Sequence, residues 1–284
     1  MISDPLIFTV DVEEYFHAEN ILNSLKPNKL NGLPRRASIG IKKILETLHE
    51  HKSNATFFVL GEVAEQNRGL IREIAGEGHE IASHGYRHIP LYKLGAKDFL
   101  DDLKRSVGIL EEITGQRCLG YRATSYSLSG DMPWFFDVLH KCHIVYDSSV
   151  SLSWFRTHWR EAAMRGKPFE IHPGIMEFPV AFGSFGPLRF PLGGGYFRAY
   201  PYGWTRGALR SLQKNDGLPV FYIHNWELDP EQPRLSISYV KSVRHYLNLS
   251  QSQKKLRWLL QDFKTVSIQE SPGMKNFFND KGKE

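Results

Sequence analysis

The sequence predicts an α/β fold in which a mainly parallel sheet is wrapped by helices, and three observations predict it. β-forming runs alternate with segments of helical apolar spacing up to about residue 149 and again after residue 202. The chain of 284 residues is long enough for one large core, and at this length a closed barrel with outer helices is the expected form. Between about residues 150 and 202 the alternation breaks into aromatic, Gly-rich and Pro-rich sequence, including residues 183–187 and 193–196. That composition belongs to ordered loops or short hairpins, read as an insertion that shapes a cleft.

Each element has its own warrant. Residues 6–12 are rich in β-formers and run straight into Asp11, Glu13 and Glu14, a buried strand with a functional end. Residues 38–51 carry Ile39, Ile41, Ile44, Leu45 and Leu48 at helical spacing, and residues 55–60 return to a strand, completing a β-α-β unit. The same reasoning gives a helix over 63–76, a strand over 80–83, a helix over 96–114, a strand over 118–123, a helix over 132–141 and a strand over 144–149. Beyond the insertion it gives a helix over 204–215, a strand over 220–224, one or two helices within 236–263 and a final strand over 265–268. The expected organisation is a single catalytic domain over 1–270, with its insertion at 150–202, a helical extension from about 229 and a solvated, flexible tail over 271–284.

Composition bounds the function only loosely. With 41% hydrophobic and 24% charged residues, neither disorder nor a fibrous architecture is indicated. The net charge of +5 is accounted for by ordinary solubility and does not call for a nucleic-acid partner. The two cysteines, Cys118 and Cys142, form neither a metal-finger spacing nor a disulfide framework. No run approaches the ~18 apolar residues of a membrane span, and the N-terminus lacks a basic segment followed by an apolar one, so the expected location is cytoplasmic, peripheral to the inner membrane at most. Oligomeric state is not legible.

Four clusters at strand ends carry chemistry. Strand alternation points Asp11 and Glu13 to one side and Val10 and Val12 to the other. A buried carboxylate pair needs a cation or a proton, which a divalent metal would supply; a solvated acidic loop is the competing reading. His84 and His88 stand four positions apart after the third strand, the spacing of one face of a helical turn, and with a carboxylate from elsewhere they make a three-ligand site. Arg122, after another strand, brings a guanidinium to the same end, where it can hold Asp11; alone it would be a surface arginine. His224 ends the run at 220–224 as a candidate general acid or a core histidine, with Trp226 as a possible sugar-stacking wall.

These residues resemble the NodB-homology polysaccharide deacetylases of carbohydrate esterase family 4, from about Leu6 to His224. The likeness is closest to the exopolysaccharide and exosortase-associated branch, which carries its own C-terminal extension. The motifs in question are Asp11-Val12-Glu13-Glu14-Tyr15-Phe16-His17, Gly193-Gly194-Gly195-Tyr196-Phe197-Arg198 and His224-Asn225-Trp226-Glu227-Leu228-Asp229-Pro230. The resemblance implies a distorted (β/α) barrel, TIM-barrel-like, with Asp11 as catalytic base and Glu13, His84 and His88 as ligands of Zn2+ or another divalent ion such as Co2+ or Ni2+. Val12 separates carboxylates that are adjacent in the common motif, which leaves Glu13 and Glu14 as alternatives for the third ligand. Thr124 stands where the third motif normally has proline.

By position, Arg122 orients the base, the Ser125 N–H belongs to the oxyanion hole, and His224 protonates the leaving amine. Asp147 matches an acid that tunes His224 or Arg122, while Tyr126, Trp226 and Arg198 are expected to face the substrate. The implied reaction is metal-dependent N-deacetylation of an amino sugar, in a polysaccharide or in a lipid-linked or nucleotide-sugar precursor, with release of acetate. The alternatives are a metal-independent small-amide hydrolase of the same fold and a non-catalytic carbohydrate-binding module using Trp154, Trp159, Trp204 and Trp226.

Overall fold

The computed structural model describes residues 5–25, 27–30, 32–150, 160–185 and 188–281, so the expected groove aromatics Trp154 and Trp159 lie outside the described residues. The first half runs β1 (Leu6–Val12), α1 (Glu19–Leu22), α2 (Pro27–Leu30), α3 (Ala37–Glu50), β2 (Thr56–Val59), α4 (Gly61–Gln66), α5 (Arg68–Gly76), β3 (Glu80–Ser83), α6 (Ala96–Thr114), β4 (Gly120–Tyr121), α7 (Trp134–Lys141) and β5 (Tyr146–Asp147). The second runs α8 (Arg160–Met164), β6 (Phe169–His172), β7 (Ile175–Glu177), β8 (Phe182–Phe185), β9 (Leu188–Pro191), α9 (Gly194–Ala199), α10 (Tyr202–Lys214), β10 (Val220–His224), α11 (Tyr239–Tyr246), α12 (Ser252–Asp262), β11 (Thr265–Val266) and α13 (Pro272–Lys281).

The main sheet has the order β10-β1-β2-β3-β4-β5-β7-β6 and is parallel except for the β6–β7 pair, with β11 added in parallel to the start of β1. It curls until its far side reaches back: Val180 forms an isolated parallel bridge to Val220, and the Ala181 N–H donates to the Val220 carbonyl at 2.8 Å. The barrel is therefore distorted, closed by a loop bridge where a regular barrel has a full strand pair.

Alternation sorts the strands' side chains. Phe8, Val10, Val12, Phe57, Val59, Phe221 and Ile223 pack outward against the helices, whereas Ile7, Phe58, Ala82, Tyr146, Phe178 and Val220 fill the lumen. Each such fully buried side chain contributes about 1.5–3 kcal/mol. Asp11 is the register partner of both His224 and Phe58, so the C-terminal ends of neighbouring strands come together at one rim.

Three expectations need correction. The helix expected over 63–76 is two helices, because Asn67 leaves the helical region (φ −129°, ψ 38°) and its amide donates to the Val63 carbonyl. Within the tail expected over 271–284, the described residues 272–281 form α13, anchored by the fully buried Met274 in the cluster with Phe178 and Leu218. Residues 193–198, expected as loop, open α9, where Gly194 at φ +55° lies against the Tyr222 ring and Gly193 lies so close to the Tyr222 carbonyl that a Cβ would sit 2.3 Å from it.

Candidate metal centre

Glu13, His84 and His88 place their ligand atoms within 4.8 Å of one another at the C-terminal rim of the barrel. The two histidines do not share a helical turn. The segment after β3 is an open loop in which Gly85 takes φ +82°, and the Asp102 carboxylate accepts the N–H groups of Tyr86 and Arg87 at 2.7 and 3.2 Å. This folded loop, not 3.6-residue periodicity, brings the imidazoles together, with ring centroids 5.6 Å apart.

The ambiguity between the two glutamates is resolved by where β1 delivers them. Glu14 turns away: its Oε2 accepts the backbone N–H groups of Arg36 and Ala37 at 2.8 and 3.2 Å, capping α3. Burial raises the Glu14 carboxyl above its ordinary range despite those bonds. Glu13 faces His88, whose Nε2 is 2.9 Å from Glu13 Oε2. Burial alone would raise the Glu13 carboxyl, but the neighbouring His88, His224 and His17 outweigh it and hold it far below the usual carboxylate range.

His84 Nδ1 lies 2.8 Å from the Arg122 carbonyl; as the donor of that bond it leaves Nε2 a lone pair facing inward, the arrangement that fixes a ligating tautomer. Burial pushes His84 down to about 4, so it is neutral near pH 7. His17, which the motif contained but to which no role was given, stacks on His88 at 5.7 Å and is pushed down to about 3, first by burial and then by His88. A borderline divalent ion fits this donor set of one carboxylate and two imidazoles. Glu13 Oε2 meets only the His88 imidazole, and the buried His88 Nδ1 has no hydrogen-bond partner among the described residues.

Arg122 is fully buried and donates from one guanidinium nitrogen to Asp11 Oδ1 at 2.7 Å and to Thr9 Oγ1 at 2.9 Å. Its other nitrogens reach the Ser148 carbonyl and hydroxyl at 3.2 and 2.8 Å. Asp147 sits one layer behind and does not contact His224 as expected. Ser149 Oγ donates to Asp147 Oδ1 at 2.5 Å and accepts the Ala123 N–H at 2.8 Å, so Asp147 supports the loop that follows Arg122. Asp147 pairs with Glu177 across β5 and β7, and burial raises both carboxyls, Asp147 to about 6.

The group bonded to His224 is Glu227. Glu227 Oε1 lies 2.7 Å from His224 Nδ1, and its Oε2 accepts from Arg198 Nε at 2.6 Å. Against the opposing effect of burial, the Glu227 bond and the charges of Glu13, Glu227 and Asp11 raise His224 to about 9. His224 Nε2 is 4.0 Å from Asp11 Oδ2 and 3.9 Å from Glu13 Oε1. Arg198, expected to meet substrate, spends its remaining donors on the His245 and Leu247 carbonyls at 2.9 and 2.6 Å. It is 2% exposed and acts as a support for Glu227.

Trp226 has a role that strand-end reasoning did not supply. Its indole N–H donates to Glu13 Oε1 at 2.8 Å, and its ring lies between His224 and His245 at centroid distances of 5.2 and 4.5 Å. The signal for Glu227 was present, since an acid three residues after a strand-end histidine can reach back to it. The Trp226–Glu13 bond, across 213 positions, left no local trace.

Asp11, Glu13, His84, His88 and His224 open into one pocket of about 450 Å3, which Ser125, Tyr126, Tyr196, Arg198, Tyr222, Trp226 and Arg244 also line, while Arg122, Asp147 and Glu227 stand behind it. Ser125 and Tyr126 take left-handed backbone angles (φ 54° and 49°), a strained turn that sets the Ser125 backbone on the pocket wall. Trp204 is 58% exposed and lines a separate groove beside the β8–β9 hairpin.

Residues 38–134 match the polysaccharide deacetylase family profile, and residues 149–272 match a domain of unknown function, DUF3473. The chain is 38% identical over 73 residues to a peptidoglycan-N-acetylglucosamine deacetylase of Bacillus cereus, covering 26% of each protein. It is 31% identical over 158 residues to a peptidoglycan deacetylase of Helicobacter pylori, covering 50% of this chain and 53% of that protein. It thus spans about a quarter to a half of the length of these relatives.

Among solved structures, a Mycobacterium smegmatis protein assigned as a polysaccharide deacetylase superposes with a TM-score of 0.62 at 21% identity, covering 99% of this chain and 94% of that one. PuuE allantoinase superposes with a TM-score of 0.56 at 16% identity, covering 92% and 85%. These likenesses establish the distorted barrel and not its chemistry. Residues 38–134 thus match the polysaccharide deacetylase family, residues 149–272 match DUF3473, and the distorted barrel is the fold these solved structures share.

Proposed function

We propose that the chain is a metal-dependent hydrolase that removes the N-acetyl group from an amino sugar in a bacterial polysaccharide or its precursor, releasing acetate. The observation that carries this reading is the convergence of Glu13, His84 and His88 beside Asp11 and His224 in one pocket. The relatives named as peptidoglycan deacetylases support the reaction class.

Glu13, His84 and His88 would hold the ion, Zn2+ or a similar one such as Co2+ or Ni2+. When bound, a divalent ion supplies Lewis acidity and lowers the pKa of water. Asp11, fixed by Arg122 at 2.7 Å, takes the proton of the attacking water at Oδ2, the oxygen that faces His224. The Ser125 N–H donates to the oxyanion that forms on the acetyl carbon. His224 then delivers its Nε2 proton to the leaving amine, with Glu227 and Arg198 holding the imidazole from behind. Products are acetate and a glycan amine.

The allantoinase likeness shows that this barrel is shared with a differently named protein, so the site must decide the chemistry. The histidine pair with Glu13 favours a metal-dependent reaction over a metal-independent amide hydrolase, and a carbohydrate-binding module would have no use for Asp11, Arg122 and His224 in one place. The test is His84→Ala. Wild-type protein is expected to bind one ion and to release acetate from an acetylated oligosaccharide; the variant is expected to do neither. A variant that keeps both overturns the proposal.

A further inference from the structure

The DUF3473 segment carries a surface that the chemistry above does not use. On α11 and the residue after it, Tyr239, Val240, Val243 and Leu247 are 83%, 77%, 42% and 40% exposed. At 3.6 residues per turn these four fall within an arc of about 100°. His245, on the opposite side of the helix, and Tyr246, about 20° outside the Tyr239 edge, are buried and anchor the helix to the barrel. Arg244 lies about 40° beyond the Val240 edge of the apolar stripe, and Lys241 lies further round, beside His245.

The charge around this helix is one-sided. From Pro233 to Gln261 the sequence has six Lys or Arg and no Asp or Glu, while the whole chain has a net charge of +5. Lys255 is consumed internally, donating to the carbonyls of Phe197, Arg198 and Tyr200, and Arg257 pairs with Glu50. Lys241 is half-buried and donates to the Ser24 hydroxyl at 2.9 Å, which leaves Arg244 exposed together with Arg234, over the Tyr246 ring, and Lys254, over the Trp258 ring. Glu19, on the α1 helix that packs against α11, is an acidic residue on the same pocket rim.

We propose that the exposed face of α11 docks on the surface of an anionic phospholipid bilayer. An apolar arc bordered by Arg244, in a stretch without acidic residues and with Tyr at one end, is the pattern of a helix lying in the headgroup region, its aliphatic side chains in the acyl boundary and its cation on a lipid phosphate. A glycan would be met by aromatic faces and hydrogen-bond donors, not by two valines and a leucine. A protein partner needs about 800 Å2 on each side, whereas a helix of eight residues is about 12 Å long.

Arg244 and Leu247 also line the catalytic pocket, so docking would bring the pocket mouth to the headgroup layer. The amino sugar would then be one presented at a membrane surface; that last clause rests on the deacetylase reading, and the docking itself does not.

The test is co-sedimentation of the full chain with vesicles of mixed phosphatidylglycerol and phosphatidylcholine, without glycan or added metal. Wild type is expected to sediment with these vesicles, to be released by high salt, and to sediment at least about tenfold less with phosphatidylcholine alone. Val240→Asp with Val243→Asp should lower binding at least about tenfold while leaving thermal melting unchanged, since both side chains are exposed. If that pair fails to fold, Tyr239→Ser, at the most exposed of the four positions, is expected to weaken binding by itself.

No sedimentation of wild type, undiminished binding of a folded variant, or equal binding to neutral vesicles overturns the proposal. So does a wild-type dimer that the variant converts to monomer without any vesicle binding, which would make this face a contact between copies. Acetate release from a soluble oligosaccharide, measured on the same preparations, reports on the deacetylase reading separately.

Discussion

Replacing Trp226 by Phe isolates one hydrogen bond at the centre of the site. The indole N–H donates to Glu13 Oε1 at 2.8 Å, and the residue is 6% exposed, so bulk water does not take the vacated position. Phenylalanine keeps an aromatic ring between His224 and His245 but offers Glu13 no donor. A hydrogen bond to a charged group contributes about 1.5–3 kcal/mol. The loss falls on the orientation of the carboxylate proposed as a metal ligand, and changes at such supporting positions weaken metal binding about 10–100-fold.

The assay is competition for Zn2+ against a chromophoric chelator, with thermal melting of the ion-free protein as the control for packing. An affinity within twofold of wild type, in a variant that melts normally, would refute the assignment of Trp226 as a positioning residue. Wild-type protein that binds no ion would refute something different, the metal centre itself. Acetate release at limiting metal should fall with the affinity and recover in excess metal.

Two further outcomes follow from buried charge. Asp147 Oδ2 and Glu177 Oε2 have no donor from elsewhere, and burial raises Asp147 from its ordinary 3.8 to about 6. A raised acid stabilises the fold fully below its unfolded value and loses that contribution as pH rises through its folded value, here between about 3.8 and about 6. The loss is about 3 kcal/mol. Asp147→Asn, which can still accept from Ser149, should therefore gain that amount relative to wild type as urea unfolding is followed from pH 4 to 7; a pH-independent difference would be inconsistent with a titrating pair. Arg198→Met strands the buried Glu227 carboxylate and should cost about 3–5 kcal/mol in urea unfolding, with part of the loss restored by adding Glu227→Gln. A single variant within 1 kcal/mol of wild type would remove Arg198 from the support of His224.

How much of this was legible depended on the range of the interaction that decides each feature. β1 was readable because alternation is local: Val10 and Val12 go to the helices, Asp11 and Glu13 to the rim. His84 and His88 were found by spacing, yet a helical turn was the wrong reason, since Gly85 and the Asp102 carboxylate fold an open loop there. Glu13 could not be separated from Glu14 because the deciding partner of Glu14 is the start of α3, 22 and 23 positions away. Arg198 looked like an anion contact in a Gly-rich segment, and only the packing of α9 against the turn after β10 shows its guanidinium consumed by Glu227 and backbone carbonyls. The tail looked solvated by composition, while Met274, with Phe277 packed against the same cluster, seats it.

The pairing of β1 with β10 puts Asp11 directly opposite His224, two residues separated by most of the polypeptide. Such a contact closes a very long loop, so its entropy must be met before the strand pair repays it, and parallel pairings of this kind form slowly. An N-terminal fragment ending before β10 would hold the two histidines of the β3 loop and the acids of β1 but neither His224 nor the indole that donates to Glu13. A nascent chain therefore gains its complete constellation only after about residue 228 has left the ribosome and docked, which ties competence for chemistry to the last stages of assembly.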